Sequence, residues 1–475
     1  MFEDRKSAAL GSLLTFALGV GLLAAPAPQS RPPNIIFILA DDLGYGELGC
    51  YGQTRIKTPA LDRMAREGMR FTDFYSGNAV CAPSRCVLLT GKHAGHAWIR
   101  DNREVLPEGQ APIPSDAVTV AEALRERGYA TAAVGKWGLG APGSTGDPNR
   151  HGFDLYYGVN CQRVAHNHYP TYLYRNSDRV GLSGNNGTLK GKQYVHDLLE
   201  KESLEFIRSH AQKPFFLYLP FLVPHVSLQV PEDSLAEYQG LWEETPYDGN
   251  KGYLPHPTPR AAHAAMITRM DRSVGRILEL LTALKIDGDT LVLFSSDNGS
   301  VDAAGGHDLA FFQANGSLRS EKGYLYEGGI RVPCIARWPG HVPAGSESRV
   351  PAASYDLFPT FCALAGASVP QGVDGRSLVP VLTGSSTTSP HEFLYWEFSG
   401  YGGQQAVRMG DWKGVRVDLQ KRRTALELYD LSKDPGEKEN VADRNPQVAT
   451  RILEIMKREH SASALFPILI LDEAK

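Results

Sequence analysis

The pentapeptide Cys81–Arg85 (CAPSR) combines a potential nucleophile with residues that start a helix. Pro83 suits a first helical position because no N–H donor is needed there and its φ angle is already helical. The helix is predicted to run up to Gly91, a common C-terminal stop. Cys81 would then lie at the helix N-terminus, where free N–H groups and the helix dipole favour a bound oxyanion. Arg85 follows one turn later on the same face and is expected to reach back over Cys81.

The pentapeptide by itself also fits two simpler interpretations. Cys81 would be a small buried helical residue, or it would form a disulfide with Cys86. The cysteines are spread too thinly for a disulfide scaffold or a zinc cluster, although one or two bridges fit an oxidising compartment. They are Cys50, Cys81, Cys86, Cys161, Cys334 and Cys362.

Further polar residues follow segments that are typical of buried strands. Asn34–Ala40 is a continuous apolar run of strand length. Such runs are followed by Asp41 and Asp42, by Lys136, by His225, and by Asp297 and Asn298. Each residue alone also fits an Asx turn, a helix cap, a surface lysine or a core histidine. Because ligands in open α/β sheets bind beyond the carboxyl ends of the strands, we expect these side chains to lie together.

The oxygen-bearing members of this set indicate a hard cation. Asp41, Asp42, Asp297 and Asn298 offer carboxylate and amide oxygens, with no cluster of cysteines or histidines beside them. Ca²⁺ accepts irregular oxygen ligation, whereas Mg²⁺ demands stricter octahedral geometry and keeps more water. The sequence therefore favours Ca²⁺ over Mg²⁺.

The elements that must position these residues alternate between strands and helices. Helices are predicted near residues 59–67, 120–127, 200–210 and 263–284, and strands at 34–40, 69–75, 129–134, 214–219 and 290–294. This alternation predicts an α/β fold with a large mixed or parallel, doubly wound sheet flanked by helices. After a polar linker at 384–390, short alternating stretches predict a small antiparallel sheet, packed by a helix over 447–459. We assign a catalytic domain to residues 31–385 and a C-terminal subdomain to 386–475.

The first thirty residues differ in composition from the rest. An apolar and small-residue run over 8–25 is followed by prolines, which resembles a secretory signal peptide over 1–30 and predicts export to the periplasm or the extracellular space. An uncleaved N-terminal anchor is the alternative, because 18 residues is about the shortest span of a bilayer. The net charge of −4 offers no basic footprint for nucleic acid or an anionic membrane. No stable membrane partner is expected.

Five motifs resemble, in order, those of the type I, formylglycine-dependent sulfatases. They are NIIFILADDLG at 34–44, CAPSR with LTG at 81–91, GKW at 135–137, SDNG at 296–299, and Lys322 with EGGIRVP at 327–333. This arylsulfatase-like resemblance runs from about Asn34 to the C-terminus. It implies an alkaline-phosphatase-like fold with a smaller C-terminal subdomain.

The resemblance also implies a mechanism. Cys81 is oxidised to formylglycine by a maturation enzyme, and one hydroxyl of the hydrated aldehyde attacks sulfur. The second hydroxyl then loses its proton and expels sulfate, which splits the hydrolysis into two easier steps. The Ca²⁺ ligands implied are Asp41, Asp42, Asp297 and Asn298, with the modified Cys81 completing the site.

Cationic residues and one histidine complete the site that the resemblance implies. Lys136 and Lys322 hold the sulfate oxygens and counter their charge. Arg85 orients the nucleophile, and His225 is the general acid for the leaving alcohol.

One position departs from the family. The family usually has GKWHLG, whereas this chain has GKWGLG at 135–140, so Gly138 stands where a histidine is expected. We hypothesise that His166, or else His168, supplies the missing imidazole from another loop. The alternative is that both histidines bind sugar hydroxyls or face solvent.

The leaving-group side is predicted to bind a hydroxyl-rich molecule. Candidate rim contacts are Arg163, His166 and His307, together with residues 404–408. The Arg, His and Tyr side chains of 162–169 suit a sugar, so a sulfated carbohydrate, of galactose type, is favoured over a small aryl sulfate. Two other functions stay open: a formylglycine-dependent phosphonate or phosphate ester hydrolase, and a non-catalytic glycan-binding protein in which Cys81 is unmodified.

Overall fold

The structure is a computed structural model and describes residues 1–2, 31–301 and 303–473. The predicted signal peptide falls almost entirely outside the described residues. Pro32–Lys475 form one compact unit, which contains the predicted boundary at residue 385. In the described ranges, no helix is both long and apolar enough to cross a membrane.

The strands are numbered in chain order. They are β1 Asn34–Ala40, β2 Met69–Phe71, β3 Phe74–Tyr75, β4 Ala130–Lys136, β5 Leu155–Val159, β6 Tyr172–Arg175, β7 Asp178–Gly181, β8 Phe215–Pro220, β9 Thr290–Ser296, β10 Cys334–Arg337, β11 Ser346–Ser348, β12 Ala352–Ala353, β13 Leu394–Phe398, β14 Gln404–Met409, β15 Trp412–Arg416 and β16 Glu427–Asp430.

The α-helices are numbered in the same way. They are α1 Pro59–Arg66, α2 Cys81–Thr90, α3 Val120–Arg125, α4 Gln162–Ala165, α5 Val195–His210, α6 Glu232–Leu235, α7 Pro259–Ala283, α8 Leu309–Phe312, α9 Glu327–Ile330, α10 Leu357–Ala365, α11 Val379–Leu382, α12 Pro446–Glu459 and α13 Leu469–Asp472.

A ten-stranded mixed sheet forms the centre of the molecule, in the order β11-β2-β10-β9-β1-β8-β4-β5-β6-β7. Its middle, from β9 through β1, β8 and β4 to β5, is parallel. Strands β10 and β6 join the two ends of this parallel part in antiparallel fashion. The predicted large mixed sheet is therefore confirmed.

Strand β1 is buried on both faces, as its apolar run predicts. Alternate residues point to opposite faces of a sheet. Ile35 and Phe37 accordingly pack in a core shared with α2, α3 and α10. Ile36 and Ile38 pack in a second core shared with α1, α5 and α7. The sheet thus lies between two layers of helices.

The C-terminal part forms the predicted small antiparallel sheet, in the order β13-β14-β15-β16. The apolar face of α12 covers this sheet, because Ile452 and Ile455 pack with Tyr395 and Val407 in one buried cluster. This arrangement confirms the prediction of a small sheet with one packed helix.

A buried group of charges joins the C-terminal sheet to α9, which lies between β9 and β10 of the large sheet. Lys413 of β15 lies 2.9 Å from a carboxylate oxygen of Glu327 in α9 and 3.0 Å from one of Glu437. All three side chains are fully buried. Glu327 also pairs with Arg331, at 3.2 Å. Lys413 is therefore the cation that compensates two buried carboxylates.

Some element boundaries differ from the predictions. Helix α2 begins at Cys81, so Pro83 occupies the third helical position and not the first. At this third position Pro83 is still tolerated, because the N–H that proline lacks would have no partner within the helix. The predicted strand over 69–75 is interrupted at Thr72, whose carbonyl oxygen accepts a hydrogen bond from Arg331.

Candidate active site

The carboxyl ends of four neighbouring parallel strands meet at one edge of the sheet. Asp41 and Asp42 follow β1, Asp297 and Asn298 follow β9, Lys136 ends β4, and His225 follows β8. Backbone hydrogen bonds join the segments at this edge. The Asp297 N–H donates to the Ala40 carbonyl oxygen at 3.1 Å, and the Asp41 N–H donates to the Val223 carbonyl oxygen at 3.1 Å. The strand ends therefore bring together the side chains that the sequence placed there.

Helix α2 carries Cys81 into this edge as its first residue. All ten residues of α2 are buried, and the helix ends at Gly91, whose φ of 65° lies in the left-handed region. The Ala82 N–H donates to Asn102 Oδ1 at 3.0 Å. One of the N–H groups that we predicted to be free for an oxyanion is therefore already occupied. Asn102 lies in a loop without any local pattern, so this contact could not be predicted from the sequence.

The Cys81 thiol lies between a carboxylate and an ammonium group. Its Sγ is 3.3 Å from Asp41 Oδ1 and 3.5 Å from Lys322 Nζ. Burial, together with the nearby charge of Asp41, raises the pKa of the thiol to about 12. Because the thiolate is the nucleophilic form of cysteine, the unmodified thiol is a poor nucleophile at neutral pH.

Arg85 points towards the carboxylates. It donates to Asp297 Oδ2 at 2.6 Å and to the Lys136 carbonyl oxygen at 2.9 Å, and it lies 3.7 Å from Asp41 Oδ2. The guanidinium therefore crosslinks the ends of β4 and β9, and it shares Asp41 as a neighbour with Cys81. Charge attraction to Asp297 holds it in this place.

Two lysines pair with the two aspartates that follow β1. Lys136 Nζ lies 2.6 Å from Asp41 Oδ2, and Lys322 Nζ lies 2.7 Å from Asp42 Oδ1. Burial disfavours a charged lysine, but Asp41 outweighs it and holds the pKa of Lys136 above its usual value. The cations likewise outweigh burial at Asp41, whose pKa is held well below its usual range. Both lysines are therefore charged.

The oxygen atoms at this edge fit a hard divalent cation. Asp42 has a φ of 65°, which directs its carboxylate towards Asn298 Nδ2 at 2.8 Å. Among the described residues, Asn298 Oδ1 is buried and has no hydrogen-bond partner. Ligand atoms of Asp41, Asp42, Cys81 and His225 all lie within 4.8 Å of one another. Converging carboxylates with an unpartnered amide oxygen are the donor set that Ca²⁺ prefers.

His225 is held by its own backbone neighbours. Nδ1 makes a short contact with the Val226 carbonyl oxygen, and Nε2 lies 3.4 Å from Asp42 Oδ2. The His225 carbonyl oxygen is 2.8 Å from His168 Nε2. Burial and the charge of Lys322 hold the pKa of His225 well below its usual value. The ring is thus oriented with Nε2 towards the carboxylates.

The two histidines considered for the missing imidazole have different places. His166 stacks on His225, with ring centroids 4.7 Å apart and planes at 8°, and its ring also lies 5.3 Å from that of Tyr253. Burial and His225 lower the pKa of His166 to about 2, so this imidazole stays neutral. His168 is fully buried behind His225. His166 is therefore the one of the two that lies at the partly exposed side of the site.

Of the other two predicted rim residues, Arg163 is exposed and His307 is buried. The Arg163 side chain is 58% exposed and pairs with Glu104 at 2.7 Å. His307, in contrast, is only 4% exposed. It lies 3.7 Å from Glu47 Oε1, with its ring 4.3 Å from that of His263. Its packing in the interior contradicts a contact at the rim.

Two further residues near the site could not be predicted from the sequence. Tyr253 forms part of the partly exposed side, and its aromatic ring in a Gly- and Pro-rich loop was the only available signal. Gln162, the first residue of α4, has its side-chain amide next to Gly138. No pattern in a single sequence links those two positions.

All six cysteines are described, and all are free. The Cys81–Cys86 disulfide that the pentapeptide left open is therefore absent from the described structure, as are the one or two bridges considered for the chain. Both cysteines are fully buried within α2, where successive turns hold them apart.

Comparison with known proteins identifies the family. The sulfatase family model matches residues 33–367, and a model of the C-terminal region of N-sulphoglucosamine sulphohydrolase matches residues 319–462. The chain is 33% identical to arylsulfatase A of Bos taurus, covering 95% of this chain and 91% of the bovine one. It is 31% identical to the N-acetylgalactosamine-6-O-sulfatase of Bacteroides thetaiotaomicron, covering 90% of this chain and 93% of the other.

A solved structure shows the same architecture. The crystal structure of Ps i-CgsB in complex with k-i-k-neocarrahexaose superposes with a TM-score of 0.76 at 31% identity, covering 90% of this chain and 92% of the other. The large mixed sheet, its helical layers and the small C-terminal sheet are thus the alkaline-phosphatase-like fold. The side chains at the strand ends agree with the family model, which covers most of the chain, and with this superposition. The chain is therefore an enzyme of the sulfatase family.

Proposed function

We propose that this enzyme removes sulfate from a sulfated carbohydrate, using a formylglycine made from Cys81 and one bound Ca²⁺. The observation that carries the proposal is the joint placement of Cys81, Asp41 and Lys322 at the meeting point of the parallel strands, with Sγ within 3.5 Å of both partners. An anionic group entering this edge would meet the charges of Lys136 and Lys322.

Ca²⁺ would be held by Asp41, Asp42, Asp297 and Asn298. Without it, the three cationic side chains at the site balance three carboxylates, so a divalent cation would leave a net positive charge that attracts an anionic ester. When bound, the ion would polarise the sulfuryl oxygens as a Lewis acid. The contacts of Lys322 Nζ with both oxygens of Asp42, at 2.7 Å and 2.8 Å, support a cation at this carboxylate.

Conversion of Cys81 by a maturation enzyme would supply what the thiol lacks. The hydrated aldehyde provides a hydroxyl nucleophile and divides the hydrolysis into two steps. The surrounding residues suit this position, because Asp41 Oδ1 already accepts a hydrogen bond from the Cys81 side chain. Lys322 Nζ, at 3.5 Å from Sγ, adds positive charge where negative charge develops.

His225 is the proposed proton donor to the leaving alcohol. Its Nδ1 faces the Val226 carbonyl oxygen and holds the single proton of the neutral ring. Nε2 would therefore donate only after it has gained a proton, which the negative charge of a bound sulfate ester favours. His168 fixes the backbone of His225 from behind. Arg85 positions Asp297 and the end of β4, and so orients the carboxylates rather than the nucleophile directly.

A carbohydrate leaving group is supported by the partly exposed side of the site. The rings of His166 and Tyr253 lie together there, 5.3 Å apart, and aromatic faces of this kind suit the apolar face of a sugar. The exposed Arg163, in the short helix α4 that ends just before His166, extends this side. Two similar proteins are named for carbohydrate chemistry, an N-acetylgalactosamine-6-O-sulfatase and a structure with a neocarrahexaose. Export, suggested by residues 1–30, would bring the enzyme to such polymers.

Release of sulfate from position-defined sulfated saccharides tests the proposed function. We expect turnover on at least one sulfated saccharide, and slower turnover on the matched phosphate and phosphonate esters of the same alcohol. The measurement is kcat/KM from ion chromatography of the released anion. Preference for a phosphorus ester would favour the hydrolase alternative, and binding of saccharides without any turnover would favour the glycan-binding alternative.

Calcium binding is expected to stabilise the folded enzyme. A ligand that binds only the native state adds about 2.7 kcal/mol at a concentration 100 times its Kd. We therefore expect the midpoint of thermal unfolding to fall with a chelator and to recover with Ca²⁺ more than with Mg²⁺. Calorimetry measures this directly, without an activity assay.

Paired variants locate the calcium effect. Asp297→Asn, at the strand end, is expected to abolish the recovery by Ca²⁺. Asp356→Asn is the matched control, since Asp356 is also fully buried but caps the backbone at Ala353 away from these strand ends. A recovery that survives in Asp297→Asn would place the ion elsewhere.

A further inference from the structure

Gly138 lies next to the helix that carries Cys81, with the Gln162 side chain beside it. Gly138 has a φ of 83°, and a Cβ atom built there would lie 3.0 Å from Gln162 Nε2. The same point is 4.0 Å from Ala82 Cβ and 4.0 Å from Arg85 Cδ. The amide of Gln162 therefore occupies the space into which a side chain at position 138 would project.

The amide of Gln162 is buried but has no partner. Gln162 is 7% exposed. Within the described part of the chain, neither its Oε1 nor its Nε2 makes a hydrogen bond, and the same holds for the buried Nε of Arg85. Buried polar atoms are nearly always hydrogen-bonded in folded proteins, so each exception requires an explanation. Three such atoms, all on side chains next to Gly138, indicate a polar group that binds there.

The backbone holds Gln162 in this place. The pairing of β4 with β5 continues past the strand ends, because the Gly138 N–H donates to the Asn160 carbonyl oxygen at 3.1 Å. Gln162 follows two residues later and opens α4. Its position is thereby fixed relative to Lys136, the last residue of β4.

We propose that Gln162 is a substrate-positioning residue, whose Nε2 donates a hydrogen bond to an oxygen of the bound sulfuryl group. This inference rests on the proposed function. It assigns to Gln162 the contact for which the sequence suggested His166, because His166 lies against His225 and Tyr253, whereas Gln162 lies against Gly138 and α2. An amide does not titrate, so its contribution is a hydrogen bond and not proton transfer.

Gln162→Leu tests the inference, because leucine has a similar size and no donor. A hydrogen bond to a charged group corresponds to a loss of about 10- to 100-fold in kcat/KM. We expect that loss on the best sulfated substrate, with an unchanged shape of the pH–rate profile. Gln162→His, which keeps a donor, is expected to lose less.

The unfolding midpoint separates this role from a structural one. Replacing an unpartnered amide by an apolar side chain removes no hydrogen bond, so Gln162→Leu should unfold at the same temperature as the wild type or higher. Gln53→Leu is the matched control. Gln53 is 8% exposed and donates to the Gly46 carbonyl oxygen at 3.1 Å and to the Phe312 carbonyl oxygen at 2.9 Å. It should lower the midpoint and leave kcat/KM unchanged.

Two results would overturn the inference. One is wild-type kcat/KM in Gln162→Leu. The other is a loss of kcat/KM accompanied by a fall of the unfolding midpoint like that of Gln53→Leu. Absence of sulfate release by the wild-type enzyme would instead contradict the proposed function, so the two failures are distinguishable.

Discussion

The Cys81→Ala variant is expected to lose essentially all sulfate release, with a fall in kcat on the order of 10⁴–10⁶. The loss follows from the proposed chemistry, because alanine cannot be converted to an aldehyde and no other nucleophile lies between Asp41 and Lys322. The unmodified thiol would not replace it, since its pKa of about 12 leaves little thiolate at neutral pH. Initial rates on the best substrate, normalised to folded protein, measure the effect.

Cys86→Ala is the matched control, because Cys86 is a second buried cysteine of α2. We expect its turnover per folded molecule to match that of the wild type. Mass spectrometry of the peptide that contains residue 81 gives an independent readout, in which the active enzyme should lack the cysteine sulfur. An intact thiol at position 81 in fully active protein would exclude the formylglycine mechanism.

The Lys413→Met variant is expected to lose about 3–5 kcal/mol of the free energy of unfolding, because removing one partner of a buried ion pair usually has this cost. Methionine has nearly the same length as lysine but leaves the carboxylates of Glu327 and Glu437 without the ammonium that lies 2.9 Å and 3.0 Å from them. Arg331 still pairs with Glu327, so the loss falls mainly on Glu437, whose pKa burial already raises to about 7 and which would take up a proton without Lys413. Urea or guanidinium titration measures the change.

Lys433→Met provides the comparison within the same C-terminal region. The Lys433 side chain is 82% exposed and lies 2.7 Å from Asp430, with water available to both partners. Exposed pairs of this kind contribute little, so we expect no measurable change. Equal stability of the two variants would mean that water reaches the charges around Lys413.

The strand ends were predictable because they follow from local chemistry. A strand buried on both faces needs a continuous apolar run, and the first charged residue after it marks the edge of the sheet. Asp41 and Asp297 were located in this way, and the structure joins the segments that carry them through the Asp42 N–H, which is 3.2 Å from Asp297 Oδ1. The C-terminal sheet followed from similarly local alternation.

The details that escaped prediction depend on contacts between distant segments. Helical spacing places Arg85 on the same face as Cys81, but the guanidinium turns to Asp297, 212 residues away. The polar loop around His307 is typical of solvent exposure, yet its ring packs against His263. Gln162 depends on how β4 and β5 pair beyond their ends. No periodicity in the sequence encodes such neighbours.

The burial of α2 also limits how often the backbone around residue 81 can unfold locally. All ten of its residues are buried, and its first turn is tied to the Asn102 side chain. Backbone amides in such a core exchange with solvent deuterium only when the whole unit unfolds, whereas substrate lids and binding loops open far more often. We therefore expect residue 81 to lie in a slow-exchanging part of the molecule. We expect substrate to reach it from the side that carries the rings of His166 and Tyr253, without motion of the helix.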